Sequence, residues 1–197
     1  MPSHQVDQKF GLQVKQKCIE VKCDLNEKEQ LEYAIAPSRS KIRIASEAEM
    51  KLAAIAKILE KHADSPTIII GQYLTQLQKV AKQFKLPIIT GKTPQAEREI
   101  LYNQFRNNEI QTLILSKVAN FSIDLPDATI AIQLSGSFGS RQEEAQRLGR
   151  ILRPKDDMSY FYSLVTRFTL EEEFALNRMR FLTEQGYLYQ IINHEEL

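Results

Sequence analysis

Thr67 to Thr90 reads T-I-I-I-G-Q-Y-L-T-Q-L-Q-K-V-A-K-Q-F-K-L-P-I-I-T. Thr67-Ile68-Ile69-Ile70 is a short continuous apolar run, the mark of a strand buried on both faces. Tyr73 to Phe84 reads as a helix, and Pro87-Ile88-Ile89-Thr90 as a second short strand. The alternation continues on both sides. Downstream, Thr93-Pro94 opens a helix with proline at its first position, running to about Phe105. Thr112 to Leu115 and Ile130 to Leu134 are further strands, Tyr160 to Val165 is strand-like, Thr169 to Glu172 caps a last helix, and Tyr187 to Ile192 is a closing strand. Upstream, residues 1–17 are polar without a clear period. Cys18 to Leu25 alternates as a strand, Asn26 to Ala36 looks helical, and Pro37 to Lys41 is a break. Ser46-Glu47-Ala48-Glu49 is a capping box that opens a helix with Leu52, Ile55, Leu59 and His62 on one face. The fold class is therefore α/β, a mainly parallel central sheet with helices on both sides. Residues 1–45 form a lead-in of strand and helix, and residues 46–197 the domain. Ligands of such sheets gather at the carboxyl ends of the strands. The loops at Gly71-Gln72, Thr90-Gly91-Lys92 and Ser116-Lys117 all follow strands and are expected to converge on one edge.

The 197 residues suffice for one domain with a proper core. Lys plus Arg (26) nearly balances Asp plus Glu (25), for a net charge of +1. Any phosphate contact must then come from local arrangement rather than a global field. No segment resembles a signal peptide or a membrane span, so the expected location is cytoplasmic, with no membrane partner. Cys18 and Cys23 lie five apart in a strand-like run and face opposite sides, which disfavours a mutual disulfide. Without nearby histidines they make no zinc site. His4, His62 and His194 are scattered, and no metal site is expected.

The stretch from Gly139 to Pro154, G-S-R-Q-E-E-A-Q-R-L-G-R-I-L-R-P, carries the chemistry. Ser140 and Glu143 form a capping box. On a helix, Gln146, Arg150 and Arg153 fall within roughly 60° of one another, and Ala145, Leu148 and Leu152 cluster opposite. An arginine display with an apolar back suits a helix that packs on a sheet and stabilises a charged transition state. A surface helix with solvated charges is the plainer alternative.

Gly91-Lys92-Thr93 imitates the end of a phosphate-binding loop. The full motif, G-x-x-x-x-G-K-[ST], needs glycine at position 86, which is Leu86, and Pro94 departs from a loop that feeds a helix through free N–H groups. No acidic run after a strand is available to hold magnesium. Arginines suited to a triphosphate, without a phosphate cradle, suggest one half of a composite site.

At this point the chain resembles the XPB branch of superfamily 2 helicases. Gln146 to Arg153 matches motif VI, Q-R-x-G-R-x-x-R. Ser116 to Pro126 (S-K-V-A-N-F-S-I-D-L-P) is similar to motif V, and Gly136 to Gln142 (G-S-F-G-S-R-Q) is characteristic of the branch. Gly71-Gln72-Tyr73-Leu74 and Thr90-Gly91-Lys92-Thr93-Pro94 look like motifs IV and IVa of the bacterial type. The resemblance covers nearly the whole chain and is most specific from about Thr67 to Pro154. It implies the second, C-terminal RecA-like domain, a three-layer α/β/α sandwich. The first domain, which in the family bears Walker A, the acidic Walker B motif and a damage-recognition module, is expected outside this chain.

The resemblance implies roles at the matching positions. Arg150 and Arg153 would be arginine fingers toward the β- and γ-phosphates of ATP, with Gln146 helping position the γ-phosphate or attacking water. Asp124 would contact the nucleotide ribose. Thr90, Gly91, Gln95, Arg98, Ser116 and Lys117 would contact the DNA backbone. ATP with Mg2+ would be bound mainly by the other lobe, and none by this chain alone, which is expected to be inactive. The implied partners are DNA, the N-terminal RecA-like lobe and a repair nuclease. Two features depart from the family. Ala119, Asn120 and Phe121 stand where many relatives have Gly-Asp-Thr, and the stretch from Tyr33 to Ser46 leaves no room for a sizeable thumb. The rival reading is a non-catalytic binding or docking module derived from a helicase lobe.

Overall fold

The structure is a computed structural model that describes residues 16–116, 128–135 and 158–197. Its core is a seven-stranded sheet. The strands are β1 (Gln16–Cys23), β2 (Thr67–Gly71), β3 (Ile88–Ile89), β4 (Thr112–Ser116), β5 (Ile130–Gln133), β6 (Ser159–Thr166) and β7 (Leu188–Asn193). Their order is β3-β4-β2-β5-β6-β1-β7, and every neighbouring pair is parallel. Among the described residues the α-helices are α1 (Glu27–Ile35), α2 (Ser38–Ser46), α3 (Met50–Lys61), α4 (Leu74–Phe84), α5 (Gln95–Arg106) and α6 (Glu171–Glu184).

The apolar run at β2 behaves as its sequence predicts. Its five residues are all buried, with Ile69 paired to Ile114 on one side and Ile132 on the other. Period-two alternation then divides the core. Ile68, Ile70, Leu113 and Leu115 pack with Tyr102 and Phe105 of α5 and Leu182 of α6. Ile69 and Ile114 face the other way, with Ile55 and Ile58 of α3 and Leu77 and Val80 of α4. Helices thus cover both faces, giving the three-layer α/β/α sandwich. The cysteines follow the same alternation, Cys18 in the first cluster and Cys23 in the second. Both are free and buried, and desolvation pushes each thiol up to about 12.

Two local expectations are overturned. The break at Pro37 to Lys41 is instead the start of α2, with Pro37 at the N-cap position and its carbonyl accepting from Ser40 N and Lys41 N. Proline's fixed φ suits a helix start as well as a break. The capping box at Ser46 does not form. Ser46 ends α2, and its hydroxyl donates to Glu171 Oε1 at 2.9 Å. The start of α3 is met from outside, by Glu29 Oε1 accepting from Glu49 N at 2.8 Å. A capping box does operate at α1, between Asn26 and Glu29. Pro94 takes the N-cap position of α5 rather than its first turn. At α6 the expected cap is displaced: Leu170 takes the N-cap position and makes no side-chain cap bond, while Thr169 Oγ1 accepts from Glu171 N at 3.2 Å and Glu172 Oε2 from Phe168 N at 2.9 Å. No helix among the described residues is long and apolar enough to cross a membrane.

The carboxyl edge of the sheet is knit by one buried polar network. Lys51 on α3 is 1% exposed and Glu171 on α6 is 4% exposed. Lys51 Nζ donates to both carboxylate oxygens of Glu171, at 3.0 and 2.8 Å, and to Leu134 O at the end of β5, at 2.7 Å. Thr166 N, closing β6, donates to Glu171 Oε2 at 2.9 Å, and the Thr166 hydroxyl to Ala45 O at 2.6 Å. Gln76 of α4 donates to Ser46 O. Removing one partner of such a pair strands a buried charge, at a cost of about 3–5 kcal/mol. Lys51→Met is therefore expected to lower unfolding free energy by about that amount in a urea titration. A loss below about 1 kcal/mol would mean that the carboxylate is satisfied without the ammonium.

Candidate nucleic-acid interface

Because every strand is parallel, every carboxyl end lies on one edge. The expected convergence of the loops follows from this register. Gly71 pairs with Ser116, and Ile89 with Leu115, so Thr90 lies one residue past the pairing beside Ser116. Ser135, just past β5, joins them, its hydroxyl accepting from Gln72 N at 2.8 Å. Gly71 also has a packing duty. A Cβ there would stand 2.8 Å from Cδ2 of the fully buried Leu77, so α4 approaches the strand end closely only because the side chain is absent.

The loop after β3 is built from its own threonines. Thr93 Oγ1 accepts from Thr90 N at 2.9 Å, Thr90 Oγ1 from Lys92 N at 3.2 Å, and Thr90 O from Thr93 N at 3.2 Å. Arg98 completes it. Its Nε donates to Thr93 O at 2.7 Å, and its Nη2 to Thr90 O and Gly91 O, both at 3.0 Å. Gln95 is exposed and donates to Glu99 Oε1 at 3.1 Å along its own helix. Gly91 and Lys92 are exposed, whereas Ser116 is only 3% exposed. Thr90, Gly91, Gln95, Arg98 and Ser116 therefore belong to one corner of the molecule. Lys117, Asp124, Gln146, Arg150 and Arg153, with the expected helix from Ser140, lie outside the described residues.

Two other polar sites bear on ligands. A pocket of about 170 Å³ between α3 and α4 is lined by Lys51, Thr75, Gln76 and Lys79, among others. Small-molecule pockets start at about 300 Å³, so it is too small for a nucleotide. Scattered in sequence, His194 nonetheless meets Asp24 and Glu195, with one ligand atom from each within 4.8 Å of the others. Sequence spacing could not reveal this, because β1 and β7 become neighbours only in the sheet. Arg167 already bonds both carboxylate oxygens of Asp24, and that bond holds the Asp24 carboxyl below its ordinary range. The site is thus committed to a cation that the chain supplies itself.

Comparison with known proteins agrees with this geometry. The model of a family described as "ERCC3/RAD25/XPB C-terminal helicase" matches residues 8–197. The chain is 50% identical over 182 residues to the "DNA 3'-5' helicase XPB" of Kineococcus radiotolerans, covering 91% of this chain and 33% of that protein. The protein of the same description from Mycobacterium tuberculosis matches at the same identity and coverage. The "General transcription and DNA repair factor IIH helicase/translocase subunit XPB/SSL2" of Saccharomyces cerevisiae is 39% identical over 185 residues, covering 90% of this chain and 22% of that one. Among solved structures, the C-terminal domain of the DEAD-box protein Dbp5 superposes with a TM-score of 0.68 at 13% identity, over 92% of each chain. The Sulfolobus solfataricus SWI2/SNF2 ATPase core in complex with dsDNA gives 0.65 at 18%, over 87% of this chain and 47% of that one. At those identities the two structures establish the fold, that of a RecA-like helicase C-terminal lobe.

The loop geometry makes a direct prediction. Thr93→Val removes the acceptor of Thr90 N–H, so the Thr90 amide should exchange its hydrogen about fivefold faster, the equivalent of about 1 kcal/mol. An unchanged rate would mean that another group protects this amide.

Proposed function

The chain belongs to the ERCC3/RAD25/XPB C-terminal helicase family, and on that premise we propose that it is the C-terminal motor lobe of an ATP-dependent DNA helicase or translocase. The observation that carries the reading is the convergence of Gly71, Thr90, Ser116 and Ser135 on one carboxyl edge, in a chain that is half identical to curated DNA helicases. The chain spans about a third of the length of those bacterial relatives (33%). ATP and Mg2+ would sit on a second lobe that carries the phosphate loop, and this lobe alone would be inactive.

In this reading Arg150 and Arg153 reach across the cleft to the β- and γ-phosphates. Their guanidiniums stay charged at every working pH and fork onto phosphate oxygens. As charge shifts onto the leaving β-phosphate, two fixed cations stabilise the transition state more than the ground state. Gln146 holds the γ-phosphate or the attacking water, and Asp124 the ribose. Gly91, Gln95 and Lys117, with Thr90 and Ser116 at the strand ends behind them, meet the DNA backbone. Contacts of this kind go to phosphate, so binding carries little sequence preference and falls with salt. Closure of the lobes on ATP and reopening after hydrolysis would step these contacts along the strand. The names of the relatives, which include a DNA repair factor subunit, support a role in repair or transcription-linked repair.

With the second lobe present, Arg150→Ala or Arg153→Ala should lower DNA-stimulated ATPase about 10³–10⁵-fold. Activity that survives both substitutions would remove the finger assignment. The isolated chain should give no measurable ATP binding by calorimetry.

A further inference from the structure

Arg98 occupies an unusual place. It is the fourth residue of α5, in the turn where the helix dipole disfavours a cation. Side chains on a helix lean toward its N-terminus, so from this position the guanidinium reaches back over the first turn to the loop. There it meets three carbonyl oxygens, those of Thr90, Gly91 and Thr93, at 2.7 to 3.0 Å. Nε and Nη2 are both committed to the loop, and Nη2 serves two acceptors at once.

The consequence is electrostatic. Carbonyl oxygens carry the negative end of each peptide dipole, and three of them at the loop surface would repel a phosphate. Arg98 draws all three inward. In a trans peptide the N–H points opposite to the C=O. Holding Thr90 O against the guanidinium therefore turns Gly91 N–H away from it, at an exposed residue. We propose that Arg98 is a positioning residue rather than a phosphate contact. It gathers the loop's acceptors, while the amides of Thr90, Lys92 and Thr93 bond within the loop, and leaves the Gly91 N–H turned toward the nucleic-acid backbone. The proposal rests on the helicase reading and departs from the phosphate contact that the motif pattern implies for this arginine.

The distinction is measurable. A direct phosphate contact is a point charge that lysine can largely replace, whereas the three carbonyls here are met from two nitrogens of a rigid fork, Nε and Nη2, which a single ammonium nitrogen does not reproduce. DNA affinity should be measured as a function of salt for the protein with its second lobe, as wild type, Arg98→Lys, Arg98→Ala and Lys92→Ala. Arg98→Lys should bind about tenfold more weakly, with an unchanged slope of log affinity against log salt and little change in melting temperature. Lys92→Ala, which removes an exposed charge from the same loop, calibrates the slope. Binding of Arg98→Lys within twofold of wild type would overturn the proposal. So would a slope in Arg98→Ala shallower by about 0.7–0.9, the signature of one lost phosphate contact. If Arg98→Ala does not fold, the lysine variant decides alone. Absence of any salt-dependent DNA binding by the wild type would instead sink the helicase reading itself, and the role of the loop with it.

Discussion

An ammonium with almost no access to water holds the working edge of this molecule together. Lys51 and Glu171 come from helices 120 residues apart in sequence. Their pair satisfies the last carbonyl past β5 and the last amide of β6. Ser46 and Ala45 join α2 to the same network. A buried charge is tolerable only when its bonds are complete. Completion here requires α2, α3, α6, β5 and β6 together, so the ends of the two strands cannot drift independently. Ser135, just past β5, is tied to the same edge through its bond from Gln72 N.

The other half of the edge is organised by different means. Around β2, β3 and β4 no buried charge pair is needed. A missing side chain at Gly71 lets α4 close on the strand, and the Thr90–Thr93 loop satisfies much of its own backbone. Arg98 adds a cation turned onto the loop's own carbonyls. One edge thus has two characters, a rigid pinned root on the β5–β6 side and a self-contained loop on the β3–β4 side.

Much of this was legible from residue order. β2, β3 and β4 are short, apolar and bounded by turn residues, and they are strands because a parallel sheet buries both faces of each. The family resemblance rests on contiguous motifs, which need no tertiary knowledge to recognise. The misreadings share one cause. Pro37 and Ser46 carry local signals that are ambiguous until the environment is known. Proline permits both a break and a helix start, and a serine hydroxyl goes to whichever acceptor is nearest. For Ser46 that acceptor is a carboxylate 125 residues away. Arg98 shows the same limit from the functional side, since the pattern identified the residue but not the direction of its guanidinium.

The sequence by itself determined the α/β class, the family and the candidate residues, because each is written in local periodicity or in a contiguous motif. Tertiary structure alone decided the strand order, the buried Lys51–Glu171 pair, the meeting of Asp24 with His194 and the inward turn of Arg98. Those depend on which distant segments become neighbours, and where water is excluded the nearest partner decides what a polar side chain does.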